Sequence, residues 1–255
     1  MAVSRIAAQM YTLRDFTKTP ADIALSMKRV REIGYESVQL SALGPIDPTE
    51  LKKILDGEGL TVCATHTSFQ RMRDEPQAVI DEHHLLRCKY PAIGGMPAEY
   101  RTREGYSRFA REATEAGRRL AQGGLVFGYH NHSFELERFG RTTGLEIIYS
   151  ESDPKYVTAE IDTYWIQHGG GDPAAWIDRL AGRIPLLHLK DMTVNSEMQQ
   201  LMAEVGEGNL NWPAILAAAE RAGVEWYIVE QDVCQRDPFE SLAISLRNLR
   251  EMGIA

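Results

Sequence analysis

A chain of 255 residues and 28.7 kDa is long enough for one large domain with a well-covered core, and it is near the usual length of an eight-stranded α/β barrel. No stretch rich in proline, glycine and serine is long enough to be a linker, so residues 1–255 are predicted to form a single domain. The formal charge of −8 and the pI near 5.4 oppose binding to a polyphosphate backbone, which argues against a nucleic-acid substrate.

The three cysteines, Cys63, Cys88 and Cys234, are odd in number and lack C-x-x-C spacing. Neither a disulfide framework nor a zinc knuckle is therefore predicted, and we expect reduced, mostly buried thiols. Residues 1–5 lead directly into a short apolar run, without the basic region and long apolar segment of a signal peptide. With no apolar stretch of membrane-spanning length, the sequence predicts a soluble, cytoplasmic protein, and it leaves a homo-oligomer open.

The first half of the chain alternates short apolar runs with amphipathic stretches. Ile23, Met27 and Val30 stand near helical spacing. Gly34 then ends that helix. In chain order the patterns predict strand 6–11, helix 19–33, strand 37–41, helix 48–55, strand 60–64, helix 74–86, strand 90–93 and helix 103–121.

The second half repeats the same unit four more times. Strands are predicted at 125–130, 157–161, 184–189 and 226–230, and helices at 144–149, 173–180, 212–222 and 238–252. Strand starts recur roughly every 25 to 40 residues, which suits right-handed βαβ units that close into a barrel. An open doubly wound sheet is the alternative, but the chain has neither G-x-G-x-x-G after its first strand nor a P-loop. The predicted fold class is therefore α/β, a single (β/α)8 TIM barrel.

Four successive strands lead into side chains that bind metals or transfer protons. The strand at 125–130 runs into Gly-Tyr-His-Asn-His-Ser-Phe-Glu (residues 128–135), and the next three lead to Asp162, His188 and Glu230. Since the carboxyl ends of barrel strands meet at one mouth, Glu135 and these three residues would aim one nitrogen and three carboxylates at one point. Such a set suits one divalent ion; we expect Mn²⁺ first, with Mg²⁺, Co²⁺ or Zn²⁺ as alternatives.

Further strings follow the same strands: Glu-Ile-Asp-Thr-Tyr-Trp at 160–165, His-Leu-Lys-Asp at 188–191, Glu-Val-Gly-Glu-Gly at 204–208 and Val-Glu-Gln-Asp at 229–232. Together with residues 128–135 they resemble the sugar phosphate isomerase/epimerase group of the xylose-isomerase-like TIM barrels. Members of that group bind one divalent metal at the barrel mouth and move protons on carbons next to a carbonyl in sugars, keto-sugars and inositol derivatives. The resemblance implies a small carbohydrate substrate, with these metal ligands: Glu135, Asp162, His188 and Glu230.

The ligand from strand five stays open. Side chains alternate along a strand, so His130 and His132 share one face. Glu135 lies beyond the regular part and reaches the mouth only if the loop turns inward. We expect Glu135 as the ligand and keep His130 or His132 as the alternative. The remaining imidazoles would then bind substrate oxygens.

Other candidates have both a functional and a structural interpretation. Asp162 could simply begin a helix, and Glu230 could be a surface carboxylate. Lys190 should point away from His188 on a regular strand, yet at a strand end it could curl in to hold a substrate oxygen. The expected substrate-binding residues are His66, His130, His132, Lys190, Tyr11 and Trp165. We expect solvated side chains at His83, His84 and His168, and we expect residues 206–208 to form a loop over the site.

If the four ligands are right, Glu135 and Glu230 would stand on opposite faces of the sugar, one removing a proton and the other returning it through a metal-stabilised enediolate. Proton return gives isomerisation or epimerisation, whereas loss of a β-leaving group gives dehydration, and the sequence does not choose. An abasic-site endonuclease would need more His and Glu ligands, and Gln39 stands where the second strand ends without a carboxylate. A non-catalytic barrel that binds metal or sugar is the remaining alternative.

Overall fold

The computed structural model describes residues 5–254, and its central feature is one closed barrel of parallel strands. Each strand pairs with its neighbours in chain order, and the first pairs with the last. The strands are β1 (Ile6–Gln9), β2 (Ser37–Leu40), β3 (Thr61–His66), β4 (Pro91–Ile93), β5 (Phe127–His130), β6 (Val157–Asp162), β7 (Leu186–Leu189) and β8 (Trp226–Val229). This confirms the predicted (β/α)8 barrel. The expectation that the N-terminus lacks a signal peptide concerns residues 1–4. These residues, like residue 255, lie outside the described part.

Ten α-helices surround the barrel within residues 5–254. They are α1 (Pro20–Ile33), α2 (Pro48–Glu58), α3 (Phe69–Asp74), α4 (Pro76–Leu86), α5 (Arg103–Gln122), α6 (Gly144–Glu151), α7 (Thr163–His168), α8 (Pro173–Arg179), α9 (Trp212–Ala222) and α10 (Pro238–Glu251). The eight predicted helices are all present, and the two short helices α3 and α7 are additional. Two small hairpins, at 138–143 and 191–203, were also not predicted.

Local signals explain where the helices begin and end. Thr19 and Asp22 form a reciprocal capping box at the start of α1, where Pro20 supplies a fixed φ at the first helical position. Gly34 closes the same helix at a φ of 114°, a conformation that disfavours residues with a Cβ. These signals were readable in the sequence, which is why helix bounds agree with prediction to within a few residues.

The barrel interior changes character along its axis. The part nearer the amino ends of the strands is apolar and includes Ala7, Ala64, Leu186 and Ile228 in one buried cluster. Because inward-facing side chains recur every second residue, the next inward positions on those four strands are polar and lie toward the carboxyl ends. They are Gln9, His66, His188 and Glu230. The apolar floor therefore supports a polar layer, and that layer opens at the mouth.

Two expectations, the end of the first strand and the exposure of His83, were wrong. The first strand ends at Gln9, because the Gln9 side chain accepts a hydrogen bond from the Tyr11 amide and caps a 3-10 helix over Met10–Phe16. His83 is buried, and its Nε2 lies 2.8 Å from the Thr65 hydroxyl. The loop at 206–208, expected over the site, packs on α10, where Asn248 donates to the Val205 carbonyl.

None of the three cysteines is disulfide-bonded, and two of them, Cys63 and Cys88, are buried. Burial raises the pKa of both buried thiols, to about 12 for Cys88, so both are protonated near neutral pH. Within residues 5–254, no helix combines the length and the apolar character needed to cross a bilayer.

Candidate metal and substrate site

Four buried side chains at the carboxyl ends of β5 to β8 bring one donor atom each within 4.8 Å of one another: His130, Asp162, His188 and Glu230. His130 Nε2 lies 3.2 Å from Asp162 Oδ2. His188 Nδ1 lies 2.9 Å from Glu230 Oε2 and 3.9 Å from Asp162 Oδ2. Donors each about 2.1 Å from a single ion stand roughly 3 to 4 Å apart, so these spacings suit shared coordination. We call these four residues the ligand cluster; the group could hold a metal ion.

Strand register and strand ends produce this convergence. Asp162 is directly paired with His188 on the neighbouring strands β6 and β7, and Glu230 follows the last residue of β8. Asp162 has two roles, since its Oδ1 accepts the Trp165 amide at 2.9 Å and caps α7. Its Oδ2 is thereby left facing the cluster. The helix-cap interpretation and the site interpretation of Asp162 are both satisfied in this geometry.

Glu135, the expected ligand from strand five, is not brought to the cluster. A 3-10 turn at Phe134–Leu136 directs its carboxylate toward the barrel wall. There it accepts the Tyr129 hydroxyl at 2.6 Å and the His132 amide at 2.9 Å. Burial raises the pKa of Glu135 to about 7, although these two hydrogen bonds oppose the rise. The position expected for Glu135 is occupied by His130, which faces inward as the last residue of β5.

Lys190 turns into the site rather than away from it. β7 ends at Leu189, so Lys190 lies beyond the regular alternation. Its Nζ is 2.8 Å from Glu230 Oε2 and 3.1 Å from Asp162 Oδ2, and 3.0 Å from a third carboxylate on Asp232. Burial by itself would lower the pKa of Lys190, but the three carboxylates outweigh it and raise that pKa above its usual range. The buried amine is therefore a stable ammonium ion.

A cavity of about 200 Å³ opens directly onto the ligand cluster. Its wall includes five of the six residues expected to bind substrate: Tyr11, His66, His130, His132 and Lys190. Glu230 and Asp232 complete its acidic side. Trp165, the sixth, stands behind His132 with ring centroids 5.2 Å apart. The cavity is small, polar and lined by hydrogen-bonding groups, which suits a small polyhydroxylated molecule.

Besides His130 Nδ1, two buried polar atoms beside this cavity have no hydrogen-bond partner: His132 Nδ1 and Trp165 Nε1. Burial lowers the pKa of His132 to about 3, so the imidazole is neutral and offers one donor and one acceptor. Buried polar groups normally have partners. These two atoms therefore keep unused hydrogen-bonding capacity next to the cavity.

Asp232 and Glu160 belong to the site but were not among the predicted residues. Burial and the charge of Glu230 raise the pKa of Asp232 to about 6, against the opposing ammonium of Lys190. Glu160 is fully buried two residues before Asp162, hence on the same inward face of β6. Strand alternation was a usable signal for Glu160, because an inward carboxylate in a barrel strand needs a polar partner.

Two carboxylates, Glu160 and Glu230, flank the imidazole of His188. Burial alone would lower the pKa of His188, but these carboxylates outweigh it and raise the pKa to about 10. Conversely, burial would raise the pKa of Glu160, and the imidazoles of His188 and His66 hold it below its usual range. Each of these buried charges is thus stabilised by an opposite charge beside it. For Nδ1 of His188 to bind an ion, the imidazole must first release a proton.

This geometry can be set against known proteins. The sequence profile of the xylose isomerase-like TIM barrels matches residues 27–252. The chain belongs to this family. Among its relatives is the rhizopine catabolism protein MocC of Rhizobium meliloti, 24% identical over 93% of this chain and 83% of that protein. An inosose dehydratase of Lacticaseibacillus casei is 24% identical over 81% of this chain and 82% of the relative.

The barrel also resembles solved structures along nearly its whole length. A sugar phosphate isomerase/epimerase from Parabacteroides distasonis superposes with a TM-score of 0.83 at 23% identity. The alignment covers 98% of this chain and 94% of that one. At this level of identity the likeness shows a shared fold.

Proposed function

We propose that this chain is a divalent-metal-dependent enzyme that moves a proton on the carbon beside a carbonyl group in a keto-sugar or an inosose. The observation that carries the proposal is the ligand cluster, which opens onto a small polar cavity at the barrel mouth. Isomerisation or epimerisation is the first candidate. Dehydration is the second, because relatives across most of the chain are named inosose dehydratase.

The ligand cluster fits a divalent ion by its chemistry as well as its spacing. Two imidazoles and two carboxylates form a mixed set that suits Mn²⁺, Co²⁺ or Zn²⁺, and we propose Mn²⁺. When bound there, the ion would act as a Lewis acid that polarises a substrate carbonyl. His130 replaces Glu135 in the proposed ligand set, because Glu135 is hydrogen-bonded elsewhere.

The chain's own side chains can then transfer the proton. Glu230 lines the cavity, and its carboxylate is the proposed base that takes a proton from the carbon beside the carbonyl. The electron pair of the broken C–H bond moves toward the carbonyl oxygen, near which the Lys190 ammonium stabilises negative charge. His132 and Trp165 would bind hydroxyl groups through their unpartnered nitrogens. Return of a proton to the opposite face of the same carbon completes epimerisation, and return to the neighbouring carbon completes isomerisation.

Solvent exchange tests this proposal directly. In D₂O, a panel of ketoses, 3-keto-sugars and inososes should include at least one compound that loses its α-proton only when protein and Mn²⁺ are both present. Nuclear magnetic resonance follows the loss, and the product separates isomerase, epimerase and dehydratase. A panel without any exchange, although Mn²⁺ and the sugars bind, would instead indicate a non-catalytic binding barrel.

The strand-five ligand can be tested by two substitutions. His130→Ala should weaken Mn²⁺ binding by more than about 100-fold, because it removes a ligand rather than a supporting group. Glu135→Gln should leave the affinity within about threefold, since that carboxylate faces Tyr129. Isothermal titration of the metal-free protein measures both. If Glu135→Gln abolished binding and His130→Ala did not, the proposed ligand set would be incorrect.

A further inference from the structure

A second group of polar side chains lies inside the barrel, beside the proposed ligands. We call it the inner layer, and it consists of Gln9, Gln39, His66 and Glu160. Three of these residues are fully buried, and the His66 side chain is 11% exposed. The layer is hydrogen-bonded to the ligand cluster through His188, whose Nε2 faces inward, and the His66 ring also lies 5.3 Å from the His130 ring, centroid to centroid. Of its four residues, His66 is the one that lines the cavity.

The Glu160 carboxylate fixes which atom donates and which atom accepts in the hydrogen bonds around Gln39 and His188. Gln39 Nε2 donates to Glu160 Oε1 at 2.5 Å, and an ionised carboxylate can only accept. The amide oxygen of Gln39 must then face His188 Nε2, from which it lies 2.7 Å. Glu160 Oε1 is itself 3.1 Å from the same nitrogen. Since both neighbours are acceptors, Nε2 of His188 carries a hydrogen, and Nδ1 is the nitrogen left for the cluster.

We propose that Glu160 is a positioning residue for His188. Directly and through Gln39, its carboxylate keeps the imidazole hydrogen on Nε2, and it thereby presents Nδ1 to the ligand cluster. This inference rests on the proposed metal site. Carboxylates that hold the far nitrogen of a ligating histidine typically change metal affinity by about 10- to 100-fold. We expect an effect of that size from Glu160.

Glu160 also connects His188 to the substrate cavity. Its second oxygen, Oε2, accepts His66 Nε2 at 3.0 Å. Because Nε2 of His66 is the donor, its Nδ1 is the acceptor for the Ser41 hydroxyl, 3.2 Å away. One buried carboxylate therefore sets the orientation of two imidazoles, one toward the ligand cluster and one lining the cavity.

His66, Glu160 and His188 also bring one donor atom each within 4.8 Å of one another, so a second cation is the competing interpretation. The hydrogen bonds within the layer argue for positioning instead. Glu160 Oε1 already accepts from Gln39 and His188, and Oε2 accepts from His66. A cation would have to replace these contacts. The number of ions bound per chain separates the two interpretations.

The test compares Zn²⁺ affinity, measured by competition with a chelator, in wild type and Glu160→Gln. We expect a loss of about 10- to 100-fold, because a neutral amide lets Gln39 turn over and loosens the His188 orientation. Glu204→Gln is the matched control: it alters another buried carboxylate, bound to Ser241 and Arg236, and should stay within twofold. An affinity within twofold in Glu160→Gln would overturn the inference. So would two ions in wild type with one lost in the variant.

A second variant and a metal-free readout complete the test. If Glu160→Gln does not fold, Glu160→Asp decides, since it keeps the charge but draws the carboxylate away from Nε2 of His188, 3.1 Å from it in wild type; unchanged affinity there would overturn the inference. If wild type binds no Zn²⁺, the proposed metal site fails on its own. The inference is then judged by the His188 Nε2–H signal in ¹⁵N spectra of metal-free protein. Exchange with water should accelerate in Glu160→Gln, and an unchanged rate would contradict the positioning role.

Discussion

Glu230→Gln should lower metal-dependent exchange of the substrate α-proton by about 10²- to 10⁴-fold, the range expected when a general base is removed. The carboxylate lines the cavity and lies 2.8 Å from Lys190 Nζ and 2.9 Å from His188 Nδ1. Gln has nearly the same shape but cannot accept a proton from carbon. The exchange rate is measured in D₂O with Mn²⁺ at a concentration that saturates the variant.

Saturating Mn²⁺ separates the two proposed roles of Glu230, because occupancy is then restored and only proton transfer differs. Glu220→Gln makes the same chemical change on an exposed position of α9 and should exchange at the wild-type rate. Exchange at more than a tenth of the wild-type rate in Glu230→Gln would remove Glu230 from the role of base. Lys190 or Asp232, which face the same cavity, would then be the next residues to substitute.

Asp191→Ala should lower the free energy of unfolding by about 3 to 5 kcal/mol, because it leaves a set of buried donors without an acceptor. The fully buried carboxylate of Asp191 accepts five hydrogen bonds. They come from the backbone amides of Met192, Gly206, Gly208 and Leu210, and from the Trp212 indole. Asp191 thus ties the 204–210 segment to the end of β7, next to Lys190. Denaturation by urea measures the loss.

Asp178→Ala is the matched control for this substitution. Asp178 is exposed and pairs with Arg221 on the surface, so its loss should cost less than about 1 kcal/mol. Asp191→Asn should fall between the two, since it keeps the shape but turns an amide group toward the donors. If Asp191→Ala cost no more than Asp178→Ala, the five hydrogen bonds to Asp191 would not stabilise this part of the barrel.

The barrel was predictable because its signals are local. Strands buried on both faces appear as short apolar runs, and the helices carry caps and glycine ends such as Thr19 and Gly34. Asp162, His188 and Glu230 could be placed together for the same reason, since parallel strand ends meet at one mouth. Those predictions needed strand order but not the path of any loop.

Side-chain directions beyond strand ends could not be predicted in the same way. Whether Glu135 or His130 faces the mouth depends on where β5 ends and on the 3-10 turn at Phe134–Leu136. Lys190 turns inward because β7 stops one residue earlier. The contact between Gln39 and Glu160 joins residues 121 positions apart, so it exists only once the barrel closes. These features follow from three-dimensional packing rather than from sequence period.

The most direct measurement is anomalous diffraction from a crystal of the protein grown with Mn²⁺. A single strong peak should lie at the ligand cluster, about 2.0 to 2.2 Å from His130 Nε2, Asp162 Oδ2, His188 Nδ1 and Glu230 Oε2. Glu135 should remain hydrogen-bonded to Tyr129 in the same crystal. An ion bound by Glu135 instead of His130, or no peak at the cluster at a Mn²⁺ concentration that raises the melting temperature, would contradict the proposed site.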